Sequence, residues 1–174
     1  MRWPSFSVKL RTQPNPLTLD AFKAIGANAS PLPWSELFVA LETKAFDGQE
    51  NPVVLMYTQR FYEVQKYMTL SGHVYSPLIF AVSKKFWDGL NAEQKKIISE
   101  AAIESAKYQR EFNRGQSAGA LANLKKGGMQ VTELPAAELG KLRDKLRPVT
   151  AKYAVNVGQE TVQELQAELA KLRK

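Results

Sequence analysis

Cysteine is absent from the 174 residues and histidine occurs once, at His73. Without thiols there are no disulfides, thiolate zinc sites or cysteine nucleophiles, and a lone imidazole excludes any metal cluster built on paired histidines. No stretch approaches the roughly 20 consecutive apolar residues of a membrane-spanning helix. The N-terminus, Met1-Arg2-Trp3-Pro4-Ser5-Phe6-Ser7-Val8, has no apolar run long enough for a secretory signal, so as written nothing is expected to export or anchor the chain. Runs of three basic residues are missing too, although Lys and Arg total 24 against 17 Asp and Glu, a formal net charge of +7. That balance favours anionic partners. The charge is spread out: residues 1–90 carry 9 basic and 7 acidic side chains, and residues 91–174 carry 15 and 10. Such interleaving suits solvated helix faces rather than a nucleic-acid-binding tail.

The composition, 44% hydrophobic and 24% charged, is that of a globular chain able to bury a core. Val8 and Leu10 alternate with Lys9 and Arg11 before Gln13-Pro14-Asn15-Pro16, a short strand ending in a turn. Leu17 to Ile25 has helical spacing and is stopped by Gly26, which suits the left-handed position there. Ala29 to Pro33 reads as a second extended piece, and Leu37 to Leu41 as a helix with Ser35 as its N-cap. The resulting βαβα alternation predicts an α/β domain.

Asp47-Gly48-Gln49-Glu50-Asn51-Pro52 reads as a polar turn, and Tyr75 to Val82 as a buried strand. Asn91 to Lys126 contains no proline and is bounded by Gly127-Gly128, which predicts one helix roughly 50 Å long. Its apolar residues keep no strict heptad, so a helix bridging two lobes is expected rather than a coiled coil. Met129 to Leu134 alternates like a strand, Leu139 to Leu146 repeats helically as far as Pro148, and Val162, Leu165, Leu169 and Leu172 share a face of a last helix. The acids Glu160 and Glu164 come early in that helix and Lys171, Arg173 and Lys174 late, which suits the helix dipole.

Among the charged residues Arg11 is the most informative. A guanidinium at a strand's carboxyl end is placed to fork two hydrogen bonds onto a carboxylate, and ligands of α/β folds gather at that edge. By spacing alone it suits a surface arginine paired with an acid no less well. Asn51 offers an amide to the same ligand or simply marks a turn before Pro52. Trp34 suits a ligand wall or the core, and His73 a hydrogen-bonded structural role. Glu36, Glu42, Asp47, Glu50 and Glu63 specify no catalytic grouping, because no nucleophile elbow accompanies them.

Phe46-Asp47-Gly48-Gln49-Glu50-Asn51-Pro52, Phe61-Tyr62-Glu63-Val64-Gln65-Lys66-Tyr67, His73 and Val82-Ser83-Lys84-Lys85-Phe86-Trp87 follow one another at a telling spacing. Upstream stand Lys9-Leu10-Arg11 and Gly26-Ala27-Asn28 through Pro33-Trp34-Ser35-Glu36. Together they resemble the solute-binding proteins of TRAP transporters, the family of the C4-dicarboxylate and sialic acid receptors, over residues 8–174.

The resemblance implies a periplasmic-binding-protein-like α/β fold of two lobes closing on a ligand, joined by crossing strands and a long helix, with the first lobe largely missing here. It implies that Arg11 makes the main salt bridge to the ligand's carboxylate and that Asn51 helps to hold it. Trp34 would line the pocket, with Glu50 and Gln13 nearby, while the absent lobe would add the opposite wall and a further arginine. Residues 1–76 would form the second-lobe segment, 77–126 the crossover and bridging helix, and 127–174 the return to the second lobe. The implied activity is non-catalytic capture of a small organic acid in the periplasm, with no cofactor or metal, for TRAP membrane subunits. A truncated α/β module binding another protein or nucleic acid is the alternative. With the first lobe absent, Ile79, Phe80 and Phe112 are expected to be exposed and to promote self-association.

Overall fold

The computed structural model describes residues 8–172, so the N-terminal reading of Met1 to Ser7 and the late basic residues Arg173 and Lys174 lie outside the described residues. Three strands run parallel in the order β2-β1-β3: β1 (Lys9–Thr12) at the centre, β2 (Asn28–Pro31) on one side and β3 (Gly48–Gln49) on the other. Arg11 is in register with Ser30 on β2 and with Gln49 on β3. All three strands therefore end at the same edge.

Helix α1 (Pro16–Ala24) makes the first crossover. Its start is written in Asn15-Pro16: the Asn15 side chain accepts from the Leu17 and Thr18 amides at 2.9 and 3.3 Å, and Pro16 occupies a position whose N–H no helix uses. The chain leaves α1 through Gly26 at φ 92°, a left-handed backbone that a Cβ would oppose. Helix α2 (Leu37–Glu42) follows a 3-10 turn over Trp34–Glu36. Ser35 is not the expected N-cap, because it lies inside that turn and makes no capping hydrogen bond. The expected polar turn at Asp47–Pro52 likewise contains a strand, β3, too short to show alternation but fixed by its backbone pairing to β1.

A second, two-stranded parallel sheet pairs β4 (Tyr67–Leu70) with β5 (Gln130–Glu133). Between this sheet and α2 lies the core: Leu37, Leu41, Met56 of α3 (Val53–Thr58), Phe61, Met129, and Leu124 near the end of the long helix α5. Leu37 and Leu124 are fully buried, each contributing about 1.5–3 kcal/mol of hydrophobic stabilisation.

Helix α5 (Ala92–Lys126) is the single 35-residue helix expected. Asn91 and Gln94 close a reciprocal capping box at its start, with bonds of 2.9 and 3.0 Å, and Lys125 and Lys126 complement the dipole at its end. Only Ala120 and Leu124 of α5 are buried. Ahead of it, after the short helix α4 (Lys84–Asp88), the expectation fails in an instructive way. Residues 74–82 form no strand, and Tyr75, Ile79 and Phe80 are 91%, 86% and 75% exposed. An apolar run becomes a buried strand only with neighbours on its edges and faces, and among the described residues none is supplied.

Helix α6 (Ala136–Val157) continues through Pro148 instead of ending there. Beyond the proline it is held to α1, where Asp20 receives hydrogen bonds from Lys152 Nζ (2.6 Å) and Tyr153 Oη (3.0 Å). Helix α7 (Gln159–Leu172) closes the described chain, with Leu165 and Leu172 largely exposed. Among the described residues no helix is long and apolar enough to cross a membrane.

Candidate functional site

Arg11 is the penultimate residue of β1 and only 3% exposed. Its Nε donates to the Leu32 carbonyl at 2.8 Å, where the chain leaves β2. Neither terminal nitrogen has a hydrogen bond, and no carboxylate pairs with it at ion-pair distance, among the described residues. Burial depresses the guanidinium's pKa, and the Glu50 carboxylate opposes that effect from the β3 side. A desolvated cation with two unused donor nitrogens is a costly arrangement that a bidentate anion relieves. The surface-pair reading of Arg11 is therefore replaced by a buried, largely unpartnered cation.

Glu50 and Asn51 lie immediately beyond β3. The Glu50 side chain is 13% exposed and faces His73, with Oε2 3.5 Å from Nε2, while His73 Nδ1 lies 2.7 Å from Ser71 Oγ. Phe22 of α1 meets the imidazole edge-on at 5.3 Å between ring centres. His73 is thus the hydrogen-bonded residue expected, and it bears on the site only through Glu50. Asn51 donates to Gln49 Oε1 at 2.5 Å, and Gln49 donates in turn to Gln65 Oε1 at 3.1 Å. Because Gln49 is the register partner of Arg11, this amide chain borders the arginine's strand position.

Trp34, three residues beyond β2, leans edge-on against Phe61 at 5.7 Å and keeps 42% of its surface exposed. It combines both readings, its ring seated on the core with a free face. Gln13 is at the same edge but exposed, and only its backbone carbonyl is used, accepting from the Asn15 amide at 2.7 Å. The structure thus places Arg11, Glu50, Asn51, Trp34 and Gln13 at the carboxyl edge of one sheet, with the Gln13 side chain exposed and making no hydrogen bond among the described residues.

Sequence reasoning missed Gln49, Gln65 and the Leu32 carbonyl. The Gln49-x-Asn51 spacing, which puts both side chains on one side of an extended chain, was the available signal for the first. Nothing in the sequence pairs Gln65 with a residue 16 positions away. A cleft lined by Leu41, Lys44, Phe46, Asp47 and Glu63 opens elsewhere, beside the start of β1, where Asp47 accepts from the Lys9 amide at 2.8 Å. Among the described residues no three His, Asp or Glu side chains are grouped to hold a metal.

Comparison with known proteins places the chain in a family. Residues 7–156 match the family model described as bacterial extracellular solute-binding protein, family 7. A TRAP periplasmic solute-binding protein from Ochrobactrum anthropi, its own C-terminus bound in its ligand-binding pocket, superposes with a TM-score of 0.90. It is 52% identical, over 95% of this chain and 52% of that one. The sugar acid binding protein DctPAm from Advenella mimigardefordensis, in complex with galactonate, gives a TM-score of 0.83 and 43% identity over 94% of this chain and 53% of its own. The 2,3-diketo-L-gulonate-binding periplasmic protein YiaO of Escherichia coli K12 is 36% identical over 124 residues, 71% of this chain and 38% of YiaO. The chain spans about half the length, or less, of the curated relatives it matches. The correspondence is to their C-terminal portion. By sequence and by fold, this chain belongs to the family 7 extracellular solute-binding proteins, the receptors of TRAP transporters.

Proposed function

We propose that this chain forms one wall of a ligand cleft that captures a small organic acid, and that Arg11 supplies the charge that holds it. The observation carrying the reading is the 3% exposed guanidinium with its terminal nitrogens unused at the carboxyl edge of a parallel sheet. Asn51 adds an amide contact to the same carboxylate, Trp34 offers its free face as an apolar wall, and Glu50 keeps the empty site from carrying a full positive charge. Gln13 sits at the rim. The names of relatives support the ligand class: one is a C4-dicarboxylate-binding protein, and another was crystallised with galactonate.

In this reading the protein is a receptor and not an enzyme, works in the periplasm, and passes its ligand to TRAP membrane subunits. Residues 1–76 supply the arginine edge, residues 77–126 reach toward the opposite lobe, and residues 127–174 return to the first segment. The largely unburied N-terminal length of α5 suits a bridging role.

Calorimetric titration of carboxylates into the chain joined to the complementary half of a family receptor tests the assignment. Binding is expected, with Arg11→Ala losing about 2–5 kcal/mol, the range for truncating one partner of a buried charge pair. Affinity unchanged in that variant would remove Arg11 from the site.

A further inference from the structure

His73 is the one histidine of the chain, and its imidazole is the only side chain here whose ordinary pKa, about 6.5, falls between about pH 5 and 8. Its place is specific. The ring sits among Phe22 of α1, Ser71 and Glu50. A carboxylate accepts and never donates, so Nε2, the nitrogen facing Glu50, carries the proton of the neutral ring, and Nδ1 accepts from the Ser71 hydroxyl. When the ring is protonated Nδ1 donates instead, and the same hydroxyl oxygen turns to accept. Both charge states therefore keep both partners, and the ring titrates without a rearrangement. Glu50 is the only carboxylate at ion-pair distance from it among the described residues. Of the two charges on α1, Asp20 is taken by Lys152 and Tyr153 of α6, and Lys23 follows Phe22 in the chain.

The charge count at Arg11 gives this proton a role. In the empty site the Glu50 carboxylate acts on the buried guanidinium and favours its charged form. An anion bound at Arg11 adds a second carboxylate near the first, and the two negative charges then share one cation. A proton on His73 supplies another cation, 3.5 Å from Glu50 Oε2, and relieves the repulsion between them. We infer that His73 is a positioning residue acting through Glu50, and that capture of an anion at Arg11 is coupled to uptake of a proton by its imidazole. The coupling is reciprocal: a ligand that raises the ring's affinity for a proton is itself bound more tightly by the protonated ring. The gain is complete below the pKa of the ring in the free protein and is lost as pH rises through the higher value in the complex. This rests on the reading of the Arg11 edge as a carboxylate site and goes further by making that site pH-sensitive.

D-Galactonate serves as the probe, because its single carboxyl stays ionised from about pH 5.5 to about pH 8. With one histidine in the chain, the ring's Cε1–H NMR signal needs no assignment, and it is titrated over that range with and without galactonate. Its midpoint is expected to rise by about 0.7 pH unit in the complex, and galactonate to bind about fivefold more tightly at the acid end, the lower range of couplings between sites. His73→Gln keeps an N–H for Glu50 but gains no proton, so its affinity stays within about 1.5-fold across the range. A merely structural role would change affinity by the same factor at every pH. A midpoint that galactonate leaves in place or lowers overturns the inference, and this reading needs no variant to fold. A pH profile that His73→Gln leaves unchanged overturns it as well, and the carboxylate reading survives both results if Arg11→Ala still abolishes the response. No response to galactonate, or one indifferent to Arg11→Ala, overturns that reading and the inference with it.

Discussion

Arg11 and Thr12 are neighbours on β1 whose side chains leave opposite faces of the sheet, and both are buried. One carries a charge with unused donors, the other a hydroxyl, Oγ1, with no partner among the described residues. Their energetics differ. Removing the arginine removes an anion's counter-charge, whereas Thr12→Val replaces an unbonded buried hydroxyl by a methyl and forfeits no hydrogen bond. Thermal and urea melts of Thr12→Val should show a change within about 1 kcal/mol, or a gain, and a loss above about 2 kcal/mol would mean that the hydroxyl is bonded in solution. At this scale Arg11 and Asn51 were legible, because strand alternation and a turn signal place them at a sheet edge. The burial of Arg11 was not, since it depends on β2 and β3 closing on both sides. Nor was the Gln49–Gln65 bond, which joins segments through tertiary packing alone.

Among the elements, α1 and α6 are joined by a charge cluster. Hydrogen bonds from Lys152 and Tyr153 lower the Asp20 pKa, while the same carboxylate raises that of Lys152, chiefly through its hydrogen bond. The sign follows from linkage. The tether's contribution is complete above the ordinary aspartate pKa of about 3.9 and is lost as pH falls through the lower folded value. On the alkaline side it is complete below the ordinary lysine pKa of about 10.4 and is lost as pH rises through the higher folded value. Melting temperatures of the native chain and Asp20→Asn should differ at neutral pH and converge in strong acid, and a gap that persists there contradicts the tether. This contact also explains how a helix legible as far as Pro148 extends beyond it, since α6 is anchored on the far side by a residue 132 positions away. The run from Tyr75 to Val82 was legible as apolar, but hydrophobicity does not supply a partner strand.

For the molecule as a whole, the exposed apolar residues of 75–82 and of α5, including Ile79, Phe80, Tyr108 and Phe112, exceed what isolated surface hydrophobics explain. The relatives run to about twice this length. Light scattering should show the chain on its own associating as concentration rises, and Ile79→Lys with Phe80→Lys should suppress this without lowering the melting temperature. A clean monomer at high concentration contradicts the expectation. The α/β alternation and the long helix were legible from apolar spacing and from the proline-free run Asn91 to Lys126, and the family from motifs carried within this chain.

An anion is expected to complete the coordination of Arg11. The guanidinium Nε–Hε NMR signal of Arg11, assigned by its loss in Arg11→Lys, reads that event directly. Addition of malate should shift it saturably and leave the other arginine signals in place, while the uncharged diamide should not. A signal equally indifferent to both compounds would contradict the account.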